Sequence, residues 1–93
     1  MCTMIAEKIE VRGSGKGPRG WFPLAQAYVS FDHPYHLDVE HALNIDFVNE
    51  AQGVGARVAV ELTPGAARRL AERILAALDQ APADGRTATS TQP

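Results

Sequence analysis

Four stretches of this 93-residue chain alternate apolar and polar side chains, and a fifth carries the helical period. A period of two puts successive side chains on opposite faces of a strand, so each alternating stretch reads as a half-buried strand. The first is 4–12, with Ile5, Ile9 and Val11 on one face beside Glu7, and Lys8, Glu10 and Arg12 on the other. The second is 21–31, with Ala25, Ala27, Val29 and Phe31 facing one way and Leu24, Gln26, Tyr28 and Ser30 the other. Pro23 marks its start as an edge or a bulge. The third is 39–48, where His41, Leu43, Ile45 and Phe47 share the apolar side. The fourth, 56–62, turns Val58, Val60 and Leu62 inward and Arg57 and Glu61 outward.

The fifth stretch opens with Thr63-Pro64, a hydroxyl N-cap followed by proline at the first helical position. Ala67, Leu70, Ala71, Ile74, Leu75 and Leu78 then form an apolar stripe up to about Gln80. Arg68, Arg69, Glu72, Arg73 and Asp79 make the solvated side, with Arg68 and Glu72 spaced for local pairing. Short connections between successive strands predict a small α+β domain over 1–80, a four-stranded antiparallel meander with one C-terminal helix packed on one face. Residues 81–93 have no periodicity and few apolar groups, and read as a disordered tail.

Two connections stand out. Residues 13–20 hold four glycines and a proline, which reads as a flexible hairpin loop without regular structure. The Walker and dinucleotide patterns are absent, and the next element is a strand, so no helix N-terminus faces an anion. Only Lys16 and Arg19 leave room for an anion contact there. Residues 49–55 make a turn.

The other is 32–38, and the stretch 31–41 around it holds all three histidines of the chain and several carboxylates. His33 and His36 are two residues apart, a spacing that lets two imidazoles reach one ion from a turn, and His41 joins from the adjoining strand. In a meander the chain start, this connection and the Leu62–helix junction share one end of the sheet. The predicted metal ligands are therefore His33, His36, His41 and Cys2, with Glu7, Asp32 or Glu40 as alternative carboxylate donors. Imidazole with thiolate or carboxylate suits zinc, iron, nickel or copper, and the spacing does not choose among them. Three histidines and a water would make an open Lewis-acidic site, and four protein ligands a closed structural one. The catalytic candidates are Cys2, Glu7 and His41. Removal of Met1 would expose an α-amino group beside the Cys2 thiol, and a nearby histidine base could activate it without metal. The competing reading is a turn made by Pro34, solvated His33 and His36, a core His41 and a small buried Cys2.

Composition excludes several classes. A net charge of −2, with arginines scattered or on one helix, argues against nucleic acid. No apolar run is long enough for a membrane span, and no basic region leads into an apolar core as in a secretory signal. One cysteine allows no internal disulfide, so the cytoplasm is the expected location. A chain this short has little core of its own, so a metal or self-association is expected to supplement it. One helix covers one face only. Met4, Ala6, Leu24, Tyr28, Ala42 and Val48 on the other suggest a homo-oligomer, most simply a dimer. The chain could then serve as a non-catalytic module with a small-molecule or partner pocket between sheet and helix.

Met1-Cys2-Thr3, Gly20-Trp21-Phe22, Asp32-His33-Pro34-Tyr35-His36, His41 to Phe47 and Arg57 to Thr63 together resemble a family of short, uncharacterised bacterial proteins, a domain of unknown function. The resemblance spans nearly everything before the tail. It implies a soluble, stand-alone bacterial domain and brings no activity, cofactor or substrate with it.

Overall fold

A computed structural model describes residues 5–81. Six strands precede one helix: β1 (Ile5–Glu10), β2 (Ser14–Gly17), β3 (Gly20–Pro23), β4 (Gln26–Asp32), β5 (Ala42–Val48), β6 (Arg57–Leu62) and α1 (Pro64–Gln80), with a short 3-10 turn at Glu50–Gln52. β1, β4, β5 and β6 form an antiparallel sheet in that order. The α+β class, the four-stranded sheet and the single helix agree with the sequence pattern. The simple meander does not, because the chain makes a separate two-stranded sheet, β2–β3, between the first and second strands of the main one.

The inserted hairpin corrects the expectation of an irregular 13–20 loop. Gly17 pairs with Gly20 across Pro18-Arg19, and Gly20 takes φ 116°. Proline presets the backbone at the second turn position, and only glycine adopts the positive φ without strain. Gly15 and Gly17 answer a packing demand. A Cβ at Gly15 would stand 3.0 Å from Leu24 Cδ2 and 3.4 Å from Val58 Cγ2, and one at Gly17 would stand 3.3 Å from the Gly55 carbonyl. The glycines that argued for a loop thus allow close approach within a folded hairpin. The expected 21–31 strand is correspondingly split, with Pro23 closing β3 and a step at Leu24-Ala25 before β4. There the Leu24 N–H donates to Gly13 O and the Ala25 N–H to Val48 O.

Register assigns the faces. Ile5, Phe31, Leu43 and Leu62 align across the four strands, as do Ile9, Ala27, Phe47 and Val58. This face is apolar, and Glu7 lies on it as the alternation predicted, aligned with Val29, Ile45 and Val60. Leu24 and Gly15 meet Val58 at one end of it, and α1 approaches its other end. The opposite face is polar. Arg57 binds Asp46 Oδ1 at 2.9 Å, and Lys8 Nζ stands 5.7 Å from the centre of the Tyr28 ring. The association surface read from Ala6, Tyr28, Ala42 and Val48 therefore has no continuous apolar patch. Ala42 is fully buried, Leu24 packs on the hairpin, and Met4 lies outside the described residues.

α1 begins where the sequence placed it. Thr63 Oγ1 accepts the Ala66 N–H at 3.2 Å, and Pro64 occupies the first turn. No residue of α1 is buried. Among the described residues the buried apolar positions are Phe22, Ala27, Ala42 and Ala56, and no large side chain is fully enclosed. The reading of 82–93 as a tail, and the Cys2 assignments, lie outside the described residues.

Two measurements check these placements by urea unfolding. Thr63→Ala removes the cap and lowers stability by about 1 kcal/mol. Gly17→Val sets side-chain atoms against the Gly55 carbonyl and the Phe22 ring, and costs about 1–3 kcal/mol, whereas Gly13→Ala, with its nearest neighbour at 3.8 Å, is close to neutral.

Candidate functional site

The connection between β4 and β5 is longer than the sequence implied, because β5 starts at Ala42 and leaves 39–41 in the loop. A loop of this length carries backbone N–H groups that need acceptors. Glu61 supplies them from β6. Its Oε2 accepts the Tyr35 N–H at 2.8 Å, and its Oε1 accepts those of His36 at 2.9 Å and Leu37 at 3.2 Å. The His36 imidazole lies beside the same carboxylate, with Nδ1 3.6 Å from Oε2. Three successive N–H groups converging on one anion form a nest. The Tyr35 N–H above all, with the His36 and Leu37 N–H groups and the His36 ring adding to it against some desolvation, holds the Glu61 carboxyl below its ordinary value. Glu61 was read from the sequence only as an outward side chain. Its role depends on a contact 24 to 26 residues away, which no local pattern announces.

The three histidines separate into two environments. His41 is half-buried on the apolar side of the sheet, as its alternation predicted. Its ring stacks on Phe31 with centroids 5.4 Å apart and on His33 with centroids 4.9 Å apart. The three rings form one stack at the edge of β4 and β5. His33 Nδ1 lies 2.8 Å from the Glu40 carbonyl oxygen, and its backbone N–H donates to Asp32 Oδ1 at 2.7 Å. A carbonyl only accepts, so Nδ1 carries the proton and Nε2 of the neutral ring carries the lone pair. His36 stands apart, with its side chain 89% exposed and directed to Glu61. The structure thus brings His33 and His41 together and leaves His36 out.

Of the remaining candidates, Glu7 is exposed on edge strand β1, Asp32 caps the start of the loop, and Glu40 contributes its carbonyl rather than its carboxylate. Among the described residues no three His, Cys, Asp or Glu side chains gather around one point. Spacing suggested a three-histidine set because residues 33 and 36 are close along the chain. The nest turns their side chains to different partners. Asn44, opposite Glu61 on the polar face, keeps a buried Oδ1 without a hydrogen-bond partner.

Titration tests the Glu61 nest. The carboxyl has a folded-state pKa below its ordinary value near 4.5. Its stabilising contribution is therefore complete above that pH and is lost as pH falls through the lower folded value. The Glu61→Gln variant is expected to show a flatter stability profile below about pH 4.5 than the parent, followed by circular dichroism in urea. An identical acid limb in both proteins would remove Glu61 from that role.

Among the described residues, no helix is long and apolar enough to cross a membrane. No curated protein and no solved structure matches the chain. A family model described as a family of unknown function (DUF6295) matches residues 1–87. By that match, which takes in the β4–β5 connection and both stacked histidines, the chain belongs to this family of unknown function.

Proposed function

We propose that this chain is a small metal-binding protein with His33 and His41 as its core ligands. The supporting observation is the hydrogen bond between His33 Nδ1 and the Glu40 carbonyl. Histidine ligands commonly donate their second ring N–H to a carbonyl or carboxylate, which orients the ring and leaves the other nitrogen as the donor atom. The His41 ring stands beside it, and the reading requires that ring to leave the stack so that a nitrogen of each imidazole reaches one ion at about 2.0–2.1 Å while the His33–Glu40 hydrogen bond is kept. Cys2 remains the candidate third ligand. A single cysteine in a bacterial cytoplasm stays reduced and competent for that role. Zinc, iron, nickel and copper all suit this donor set. An open coordination position would hold a water of lowered pKa, the basis for a hydrolytic activity. His36 belongs to the Glu61 nest in this reading and not to the metal shell.

A second reading is favoured by a separate observation. A cleft of about 550 Å³ lies between the apolar sheet face and α1, lined by Val29, Phe31, Leu43, Ile45, Leu62 and Leu70 among others. That volume suits a small ligand. The chain would then be a non-catalytic binding module with incidental histidines.

Elemental analysis of untagged protein separates the two. The metal reading predicts close to one ion per chain, loss of most of that metal in His33→Ala and in His41→Ala, and no change in His36→Ala. Cys2→Ser lowers affinity if the thiol is the third ligand. Metal-free protein, or full metal content in the His33/His41 double variant, overturns it and leaves the binding module.

A further inference from the structure

The β2–β3 hairpin carries two cations that the fold leaves without an acid. Lys16 lies opposite Trp21 in the ladder, and Arg19 sits in the turn between the strands. Among the described residues neither pairs with a carboxylate. Trp21 is 71% exposed, and among the described residues no other ring stacks on its indole. A recess of about 210 Å³ opens here, lined by Arg19, Gly20, Trp21 and Gln52 together with the buried Phe22 and Ala56. Glycines hold its two walls together. A Cβ on Gly17 would stand 3.3 Å from the Gly55 carbonyl oxygen, and one on Gly55 would stand 3.8 Å from Arg19 Nε. The recess is therefore shaped by packing between the hairpin and the 50–55 turn, before any ligand arrives. It lies far from the histidines. β5 runs from Ala42, beside His41, to Val48, and the Asn49 N–H then donates to Ala56 O at the opposite end of the sheet.

We propose that this recess binds a small aromatic carboxylate, with its ring on the Trp21 indole and its acid group on the Arg19 guanidinium. A guanidinium presents a planar fork of N–H donors that matches a carboxylate, and such charge-assisted bonds are about twice as strong as neutral ones. The flat indole favours a flat ring, because stacking covers apolar area on both partners at once. Volume narrows the choice further. Sites for drug-sized ligands occupy roughly 300–1,000 Å³, so this smaller recess takes a single ring and excludes a nucleotide. The Gln52 amide offers a donor and an acceptor to a ring substituent. Lys16 adds positive potential from the neighbouring strand. The site rests on neither reading of the histidines and shares no residue with the cleft under α1.

Trp21 is the single tryptophan of the chain, so its fluorescence reports on this site alone. The probe is para-nitrobenzoate, an aromatic acid whose nitro group quenches an indole in contact with it. The full chain is expected to show saturable quenching that benzoate reverses and inorganic phosphate does not, while nitrobenzene, lacking the acid group, gives no saturation. Arg19→Gln raises the dissociation constant about 10-fold, the loss of a charge-assisted bond. Arg73→Gln removes the same charge from α1 and leaves it unchanged. Benzoate binding followed by protein NMR weakens about 10-fold in Trp21→Ala and is largely kept in Trp21→Phe, which retains a ring. Arg19 and Trp21 are both exposed, so the variants keep the fold, and circular dichroism checks this. Three outcomes overturn the proposal: no saturable quenching at millimolar probe, binding as tight in Arg19→Gln as in the parent, or phosphate displacing the probe as well as benzoate does. Metal content is read independently, so either proposal can fail alone.

Discussion

One apolar sheet face with too little to cover it is the constraint on which the rest of this structure turns. Strand alternation places Ile5, Val29, Phe31, Leu43, Ile45, Phe47, Val58, Val60 and Leu62 on a single side. Apolar area removed from water stabilises by roughly 25 cal/mol per Å², so such a face is a strong driving force that needs a partner layer. Among the described residues there are two short ones. The β2–β3 hairpin sits over Val58 with glycines that allow close approach, and α1 leans over Leu43 and Leu62 without burying any of its own residues. What lies between them is the cleft, and past it Ile5, Ile9 and Leu78 are each about half exposed.

The other face carries a different kind of order. Its side chains are polar, and its organising contact is an anion receiving three backbone N–H groups. Glu61 fastens Tyr35, His36 and Leu37 to β6. Charge-assisted hydrogen bonds of this kind are stronger than neutral ones and fix direction as well as distance. The consequence reaches the histidines. With its backbone and ring both committed to Glu61, His36 is turned away from His33, and the His33 ring is left to stack on His41 and to bond the Glu40 carbonyl. A structural carboxylate on one face thus decides which imidazoles meet at the sheet end.

How much of this was legible in the residues differs by element. α1 was fully readable, because Thr63-Pro64 and a 3.6 period are local signals. The inward side of His41 was readable from alternation with Leu43, and the structure stacks it on Phe31. The β2–β3 hairpin was not, because glycine is used both for disorder and for close packing, and only the neighbours at Leu24 and Val58 distinguish the two. The structure sets the His36 ring beside Glu61 and the His33 ring on His41, an arrangement the His33–His36 spacing did not announce, for a related reason. Proximity in sequence constrains Cα positions and says little about side-chain direction once a distant acceptor competes for the loop. Glu61 carried no local mark at all.

By itself, then, the sequence determined the helix, the four strands of the main sheet with their two faces, and the segment in which imidazoles concentrate. These follow from periods of two and 3.6 and from turn chemistry, which act within a few residues. Tertiary structure alone decided that the glycine segment folds as a hairpin, that His33 and His41 meet without His36, and that the described residues leave part of the apolar face exposed. Each depends on contacts between residues far apart in the chain, such as Gly15 with Val58 and Tyr35 with Glu61, whose geometry no short-range pattern encodes.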